Sequence, residues 1–202
     1  MLRALPILLV LMLACGCSRM PTIIVLEDPL TAAEHVELGV AYERKGELEL
    51  AKREYERALR KEKNHFRARV NLGNVFLAKK DYEQARAEYL LALEILPRDA
   101  ETTNNLAWCA ILSGEGTEEA MARMEAVVSE PASRRPEFLD TLGVLLMRAN
   151  RPGAAGEAFA EAETLCRNSD ACPENVLREI REHRGEPPGR FPSPSPAPAL
   201  IK

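Results

Sequence analysis

Residues 66–99 read FRARVNLGNVFLAKKDYEQARAEYLLALEILPRD, and residues 32–65 carry the same pattern of small and aromatic positions 34 residues earlier. In both stretches a Leu-Gly pair precedes an aromatic residue 3 positions after the glycine, then small, aromatic and small residues at 12, 16 and 19. The matching residues are Leu38, Gly39, Tyr42, Ala51, Tyr55 and Ala58, then Leu72, Gly73, Phe76, Ala85, Tyr89 and Ala92. A period of this length is typical of solenoids, whose short units bury their apolar faces only against neighbouring units.

Two further copies of the pattern follow, one irregular and one regular. The third copy has Ala107 in place of the glycine and Ala110 in the aromatic position, and its second half is shifted by one residue. The two glycines within residues 113–116 relax the turn and accommodate the extra residue. The other matching positions are Leu106, Ala120, Met124 and Val127 in the third copy, and Leu142, Gly143, Leu146, Ala155, Phe159 and Ala162 in the fourth.

In these positions the chain resembles the tetratricopeptide repeat family from about residue 32 to residue 166. The resemblance implies an all-α fold, a right-handed solenoid of about four helix-turn-helix repeats followed by a C-terminal capping helix. The approximate repeats are 32–65, 66–99, 100–135 and 136–169. Gly39 and Gly73 would let the two helices of a repeat approach closely. At least three such units must stack to bury their faces, and four are present.

The residues after the array divide into one helix and a proline-rich tail. Val176, Leu177 and Ile180 share one helical face, so residues 173–184 are predicted to form a helix that caps the array. Terminal units need a polar outer side to stay soluble, which such a helix supplies. Six prolines from residue 185 onward predict an extended, disordered tail over residues 185–202.

The first 16 residues are predicted to be a lipoprotein signal peptide. Arg3 precedes an apolar run that is too short to span a bilayer, and small residues then lead to two cysteines. This end resembles the bacterial lipobox, and Cys17, preceded by glycine and followed by serine, fits it better than Cys15. The resemblance implies a lipid (palmitate) anchor, with residues 17–31 as a tether. The alternative is an ordinary cleaved signal with incidental cysteines.

The residue after each cysteine bears on the destination of the protein. No aspartate follows either cysteine, so the inner-membrane retention signal of bacterial lipoproteins is missing. In a Gram-negative host we therefore expect a protein attached to the outer membrane and facing the periplasm.

The charge balance argues against nucleic-acid binding. The chain has 27 Lys and Arg against 31 Asp and Glu, a net charge of −4, and removal of residues 1–16 takes away only Arg3, which makes it −5. Nucleic-acid binding is dominated by Lys and Arg contacts with phosphates. The resemblance to the tetratricopeptide repeat family implies that the partners are proteins or peptides, and the lipobox resemblance implies the lipid as the contact to the membrane.

No catalytic, cofactor-binding or metal-binding constellation is recognisable. His35, His65 and His183 are far apart without ligand spacing, so we expect solvent-exposed helix histidines. Cys109 has no positioned base in the sequence, which indicates a buried core cysteine. The chain is predicted not to be an enzyme and to hold no cofactor and no metal.

Cys166 and Cys172 lie six residues apart, between the fourth repeat and the last helix. In an exported chain such a pair can form a disulfide that fastens the terminal helix. Two free thiols are the alternative, in a host that lacks a strong oxidant.

The resemblance also implies a binding groove. In this family the first helix of each repeat lines a concave groove, and ligand contacts lie at fixed offsets from the Leu-Gly pair. These offsets select as candidate peptide-contacting residues Asn71, Asn74, Asn104, Asn105, Trp108 and Asp140, and they also place Glu43 and Leu77 in the groove. Asparagine amides offer a donor and an acceptor to an extended backbone, and tryptophan is enriched in binding hot spots. The alternative is that these residues only cap, pack or follow the repeat's consensus.

These observations predict a non-catalytic scaffold for protein–protein interaction, anchored by lipid in the bacterial cell envelope and assisting the assembly of an envelope complex. The alternative is an accessory subunit of an envelope peptidase or of a polysaccharide- or protein-export machine.

Overall fold

The computed structural model describes residues 28–169 and 172–185, and all regular structure in these two ranges is helical. The α-helices are α1 (Ala32–Arg44), α2 (Leu48–Lys61), α3 (Phe66–Ala78), α4 (Tyr82–Ile95), α5 (Ala100–Ser113), α6 (Thr117–Ser129), α7 (Pro136–Arg148), α8 (Pro152–Arg167) and α9 (Glu174–Gly185). A short 3₁₀ helix, Pro131–Ser133, precedes α7. The prediction of an all-α chain is confirmed. None of the helices in the described ranges has the length and hydropathy needed to cross a membrane.

Local sequence explains where several helices begin. Thr31 forms a capping box with Glu34: Thr31 Oγ1 accepts from the Glu34 N–H at 3.2 Å, and the Glu34 carboxylate accepts from the Thr31 N–H at 2.7 Å. Asp81 and Asp99 cap α4 and α5 by accepting from a backbone N–H in the first turn. Both α7 and α8 start with proline, which has no N–H to leave unsatisfied there.

Three of the four helix pairs share one steric arrangement. A glycine of the first helix faces a buried aromatic ring of the second, and a Cβ atom at the glycine would overlap that ring. For Gly73 the added Cβ would lie 2.6 Å from Tyr89 Cε1. The pairs are Gly39 with Tyr55, Gly73 with Tyr89, and Gly143 with Phe159. The rings fill the space that the missing side chains leave, so the two helices of a pair are locked at one distance.

The helix pairs stack into an array that curves toward its first helices. α1, α3 and α5 each contact the first helix of the next pair, and α7 contacts α9. By contrast, α2, α4 and α6 pack on their own partner and on the first helix that follows. Neighbouring first helices therefore lie closer together than neighbouring second helices. They line the concave side of the solenoid.

Two buried clusters form the core, and they meet at α5. One cluster extends from α1 and ends with Leu106 and Cys109, while the other begins with Ala107 and Ile111 and reaches Ile180 of α9. Residues on different faces of α5 thus belong to different clusters. The third pair is the joint between the two halves of the array.

The prediction of solvent-exposed histidines was wrong for His35 and His183. His35 is fully buried, with Nδ1 2.8 Å from Glu54 Oε2 and Nε2 2.9 Å from Asp28 Oδ2. His183 is only 4% exposed. Buried polar groups need partners, and these partners come from other segments of the chain, so no local spacing reveals them.

Several sequence predictions concern residues outside the described ranges. These are the signal peptide over 1–16, the lipidation site at Cys17 or Cys15, the tether up to residue 27 and the tail beyond residue 185.

Candidate functional site

All six candidate groove residues lie on first helices, which line the concave side. They are Asn71 and Asn74 on α3, Asn104, Asn105 and Trp108 on α5, and Asp140 on α7. Asn74, Asn104 and Trp108 are half-buried and can meet a ligand directly, whereas the other three are at most 7% exposed. The solenoid brings the six onto neighbouring helices, but it does not present them equally.

The asparagines in the middle of the groove bind each other. Asn74 Oδ1 accepts from the Tyr89 hydroxyl at 2.8 Å and from Asn105 Nδ2 at 3.1 Å. Asn74 and Asn105 therefore tie the second unit to the third. Part of their hydrogen-bonding capacity serves the fold, and the remainder is available to a ligand.

The first unit carries a related polar contact. The Tyr55 hydroxyl donates a hydrogen bond to Glu43 Oε2 at 2.6 Å. Glu43 is one of the residues that the sequence analysis placed in the groove. Burial raises the pKa of the Glu43 carboxyl above its ordinary value, and the hydrogen bond from Tyr55 opposes this shift. In the first unit, the groove therefore contains the Glu43 carboxyl, whose pKa is raised and whose orientation is fixed by Tyr55.

The last helix covers the other end of the groove. His183 Nδ1 of α9 lies 2.7 Å from Asp140 Oδ2 of α7, and its ring centroid lies 5.9 Å from that of Trp108 on α5. Because α5 and α7 are first helices of consecutive pairs, these contacts place the end of α9 over the concave side. Burial raises the pKa of Asp140, while the hydrogen bond to His183 lowers it.

Sequence reasoning missed this contact although a signal was present. His183 lies three residues after Ile180, so it continues the apolar face that begins at Val176 and Leu177. That spacing indicates a histidine directed at the array. The identity of its partner, 43 residues away, is decided by the curvature of the solenoid.

A disulfide holds the start of α9, and ion pairs hold its last turns. Cys166 and Cys172 form a disulfide whose Cα atoms lie 5.1 Å apart. Glu163 of α8 pairs with Arg167, Arg181 and Arg184 at 2.6, 2.9 and 3.2 Å. The hydrogen bond from Arg181 and the other arginines hold the pKa of Glu163 below its ordinary value. Two arginines of α9 thus share one carboxylate of α8.

The buried thiol of Cys109 is structural. Cys109 Sγ donates to the carbonyl oxygen of Tyr82 at 3.0 Å, and burial raises its pKa to about 11. A thiol with this pKa stays protonated at neutral pH and is a poor nucleophile. Across residues 28–169 and 172–185, no group of three or more His, Cys, Asp and Glu side chains is arranged to hold a metal ion.

A second groove lies between α2 and α4, away from the concave face. It encloses about 680 Å³, with Leu72 and Phe76 of α3 at its floor. Its charged lining combines three basic with three acidic side chains, namely Lys52, Arg60, Lys63, Glu56, Asp81 and Glu88. This balance gives the groove no preference for a ligand of either charge.

Comparison with known proteins agrees with this geometry. The model of the family described as tetratricopeptide repeat matches residues 36–100, the second helix-turn-helix unit and most of the first. The fold is a tetratricopeptide-repeat solenoid. No curated protein matches the chain significantly in sequence.

Solved structures resemble the whole array. MamA from Desulfovibrio magneticus RS-1 is 23% identical with a TM-score of 0.63, covering 69% of this chain and 78% of that one. PilF from Pseudomonas aeruginosa is 25% identical with a TM-score of 0.61, covering 75% and 69%. PilW, described as a widely conserved type IV pilus biogenesis factor, is 17% identical with a TM-score of 0.60, covering 76% of both chains. These likenesses establish the solenoid fold.

Proposed function

We propose that this protein is a non-catalytic scaffold that holds an extended segment of a partner protein in its concave groove. The observation that carries the proposal is the row of amide side chains on α3 and α5, which Asn74, Tyr89 and Asn105 fix in place. An extended peptide has backbone N–H and C=O groups without partners, and oriented amides satisfy both. Ordering these amides before binding lowers the entropic cost of association.

We also propose that the scaffold is anchored by lipid in the bacterial envelope and assists the assembly of an envelope complex. The anchor rests on the resemblance of the residues around Cys17 to a lipobox. The assembly role is supported by the fold shared with PilW, which is described as a pilus biogenesis factor.

Site-specific photo-crosslinking in cells tests the groove. A photoreactive residue in place of Leu77, one turn after Asn74 on α3, should give a discrete adduct with a partner protein. The control position is Leu91 on the second helix α4, which is 37% exposed and carries the same side chain. Equal adducts from both positions, or none from position 77, would refute binding in the groove.

Metabolic labelling with an alkyne fatty acid tests the anchor. Label should be retained in Cys15→Ser and lost in Cys17→Ser, and the labelled protein should sediment with outer membranes in a density gradient. Retention of label in both single variants and its loss only in the double variant would show that the two cysteines substitute for each other. Absence of label in the unaltered chain would refute a lipid anchor.

A further inference from the structure

The part of the concave groove between α5 and α7, which we call the recess, carries several buried hydrogen-bond acceptors. Among the described residues, three buried side-chain oxygens have no hydrogen-bond partner: Asn104 Oδ1, Glu137 Oε2 and Asp140 Oδ1. All three lie on these two first helices, and all are acceptors. Such atoms are rare in folded proteins, and each calls for an explanation.

Other contacts place these three residues on facing parts of α5 and α7. The Arg135 side chain pairs with Glu101 at the start of α5 and lies 3.5 Å from Glu137 Oε2 on α7, so the first turns of the two helices face each other. Asn104 and Asp140 each lie one turn further along these helices. Trp108 lies one turn beyond Asn104 and, like Asp140, contacts His183.

The chemistry of this lining selects the ligand. Glu137 Oε2 already has the Arg135 guanidinium 3.5 Å away. The buried oxygens of Asp140 and Asn104 still require donors, the carboxylate favours positive charge, and the adjacent indole ring attracts a cation over its face. The guanidinium group meets all of these requirements, because it is planar, permanently charged and carries five N–H donors. The imidazole of His183, bound to Asp140 and set against Trp108, occupies the place of such a group.

We propose that the recess lined by Asn104, Trp108 and Asp140 binds an arginine side chain of the partner segment, and that His183 fills this place when no partner is bound. The inference rests on the proposed function of the groove and adds to it the chemistry of one partner residue. Binding requires the end of α9 to lift, which breaks the ion pairs of Arg181 and Arg184 with Glu163, while the disulfide between Cys166 and Cys172 keeps its beginning attached.

Peptide binding to the full-length chain tests the proposal. An array of acetylated, amidated octapeptides carries arginine at each position in turn, and matched peptides carry citrulline, which has the same shape without the charge. Binding is followed by the fluorescence of Trp108, the one tryptophan of the chain. The best arginine peptide should bind at least about tenfold more tightly than its citrulline counterpart, as expected for a buried charge-assisted hydrogen bond.

Three variants show which side chains are responsible. Asp140→Asn keeps the shape of the side chain and should abolish the preference for arginine over citrulline. Glu161→Gln removes an α8 carboxylate that pairs with Arg134 and should leave the preference unchanged. His183→Ala should tighten binding of the arginine peptide, since it removes the internal competitor. Circular dichroism of each variant checks that the helices remain.

The outcomes separate this inference from the proposed function. Equal affinity for arginine and citrulline peptides, or a preference that survives Asp140→Asn, overturns the arginine site while leaving peptide binding intact. Weaker binding after His183→Ala overturns the role of His183 as occupant. If no peptide of the array binds, the recess has no such ligand and the groove itself is in question, which the adducts at position 77 decide independently.

Discussion

The two helices of the third pair pack against each other through different side chains from those used in the other three pairs. In the first, second and fourth pairs, a glycine on the first helix receives a rigid aromatic ring from the second. In the third pair Ala107 stands in the place of the glycine, and fully buried Met124 stands in the place of the ring. Methionine is flexible enough to fill irregular space, so the pair tolerates a Cβ atom that the others exclude.

The turn of the third pair differs as well. Its two glycines, Gly114 and Gly116, both have a positive φ, of 79° and 73°, and they flank the residue that shifts α6 by one position. The two core clusters meet on α5 of this pair, and Trp108 and Asn104 project from the same helix. The regular pairs therefore supply a rigid frame, and the irregular pair together with α7 carries the recess.

The largest expected effect distinguishes the ring from the flexible side chain. Tyr89→Ala removes a fully buried ring and the hydrogen bond to Asn74, and should lower the free energy of unfolding by about 3–5 kcal/mol. Met124→Ala should cost about 2 kcal/mol, because the neighbouring turn with its glycines can relax around the gap. Urea unfolding followed by circular dichroism measures both. Equal losses would show that the third pair is as rigid as the others.

Substitution of the glycine in the contact between glycine and aromatic ring gives the second test. Gly73→Ala places a Cβ atom against the Tyr89 ring and should destabilise the protein by about 1–3 kcal/mol, despite the higher helix propensity of alanine. The reverse change in the third pair, Ala107→Gly, should cost about 1 kcal/mol, from helix propensity and a small cavity. The comparison fails if Gly73→Ala raises the melting temperature.

Reduction of the disulfide allows the stability of the two ends of the array to be compared. Reduction of the bond between Cys166 and Cys172 opens a short loop and should remove about 2 kcal/mol of stability in the chain-entropy model. The loss should appear as faster hydrogen exchange in α9, with α1 and α2 unchanged. Uniformly faster exchange along the chain would mean that α9 supports the whole array rather than its last unit.

The smallest expected effect concerns pH. Burial raises the pKa of Glu43 above 4.5, so its contribution to stability is full below that pH and is lost as the pH rises through the folded-state pKa. Glu43→Gln should therefore gain stability relative to the unaltered chain between pH 4 and pH 7, by less than about 1 kcal/mol. In the third pair, Ile111 and Met124 stand in the positions of Glu43 and Tyr55, so this pair makes no corresponding pH-dependent contribution to stability.

Glu49 is the control for this measurement. It is exposed, and its pairing with Lys79 lowers its pKa below 4.5, so its contribution is present above that pH and is lost as the pH falls. Glu49→Gln should therefore lose stability relative to the unaltered chain as the pH rises. Urea unfolding at several pH values checks both trends, and the same sign for the two variants would contradict the assignment for Glu43.

Sequence reasoning succeeded where spacing along the chain carries the information. The interval of 16 residues from Gly73 to Tyr89 identified a contact that the structure contains, because two helices joined by a short turn bring those positions together. It failed for His35 and His183, whose environments depend on Asp28 and Asp140. The groove residues were placed on the right helices, but their exposure was not predictable.

The 34-residue pattern by itself determined that this protein consists of stacked helix pairs, because an apolar stripe that recurs at that interval can be buried only against its own neighbours. Tertiary structure alone decided that α9 returns over Trp108 and that Asn104 Oδ1 on α5 and Asp140 Oδ1 on α7 are buried without hydrogen-bond partners. Those contacts join residues tens of positions apart. Their geometry follows from the curvature summed over several units, which no local stretch of the chain encodes.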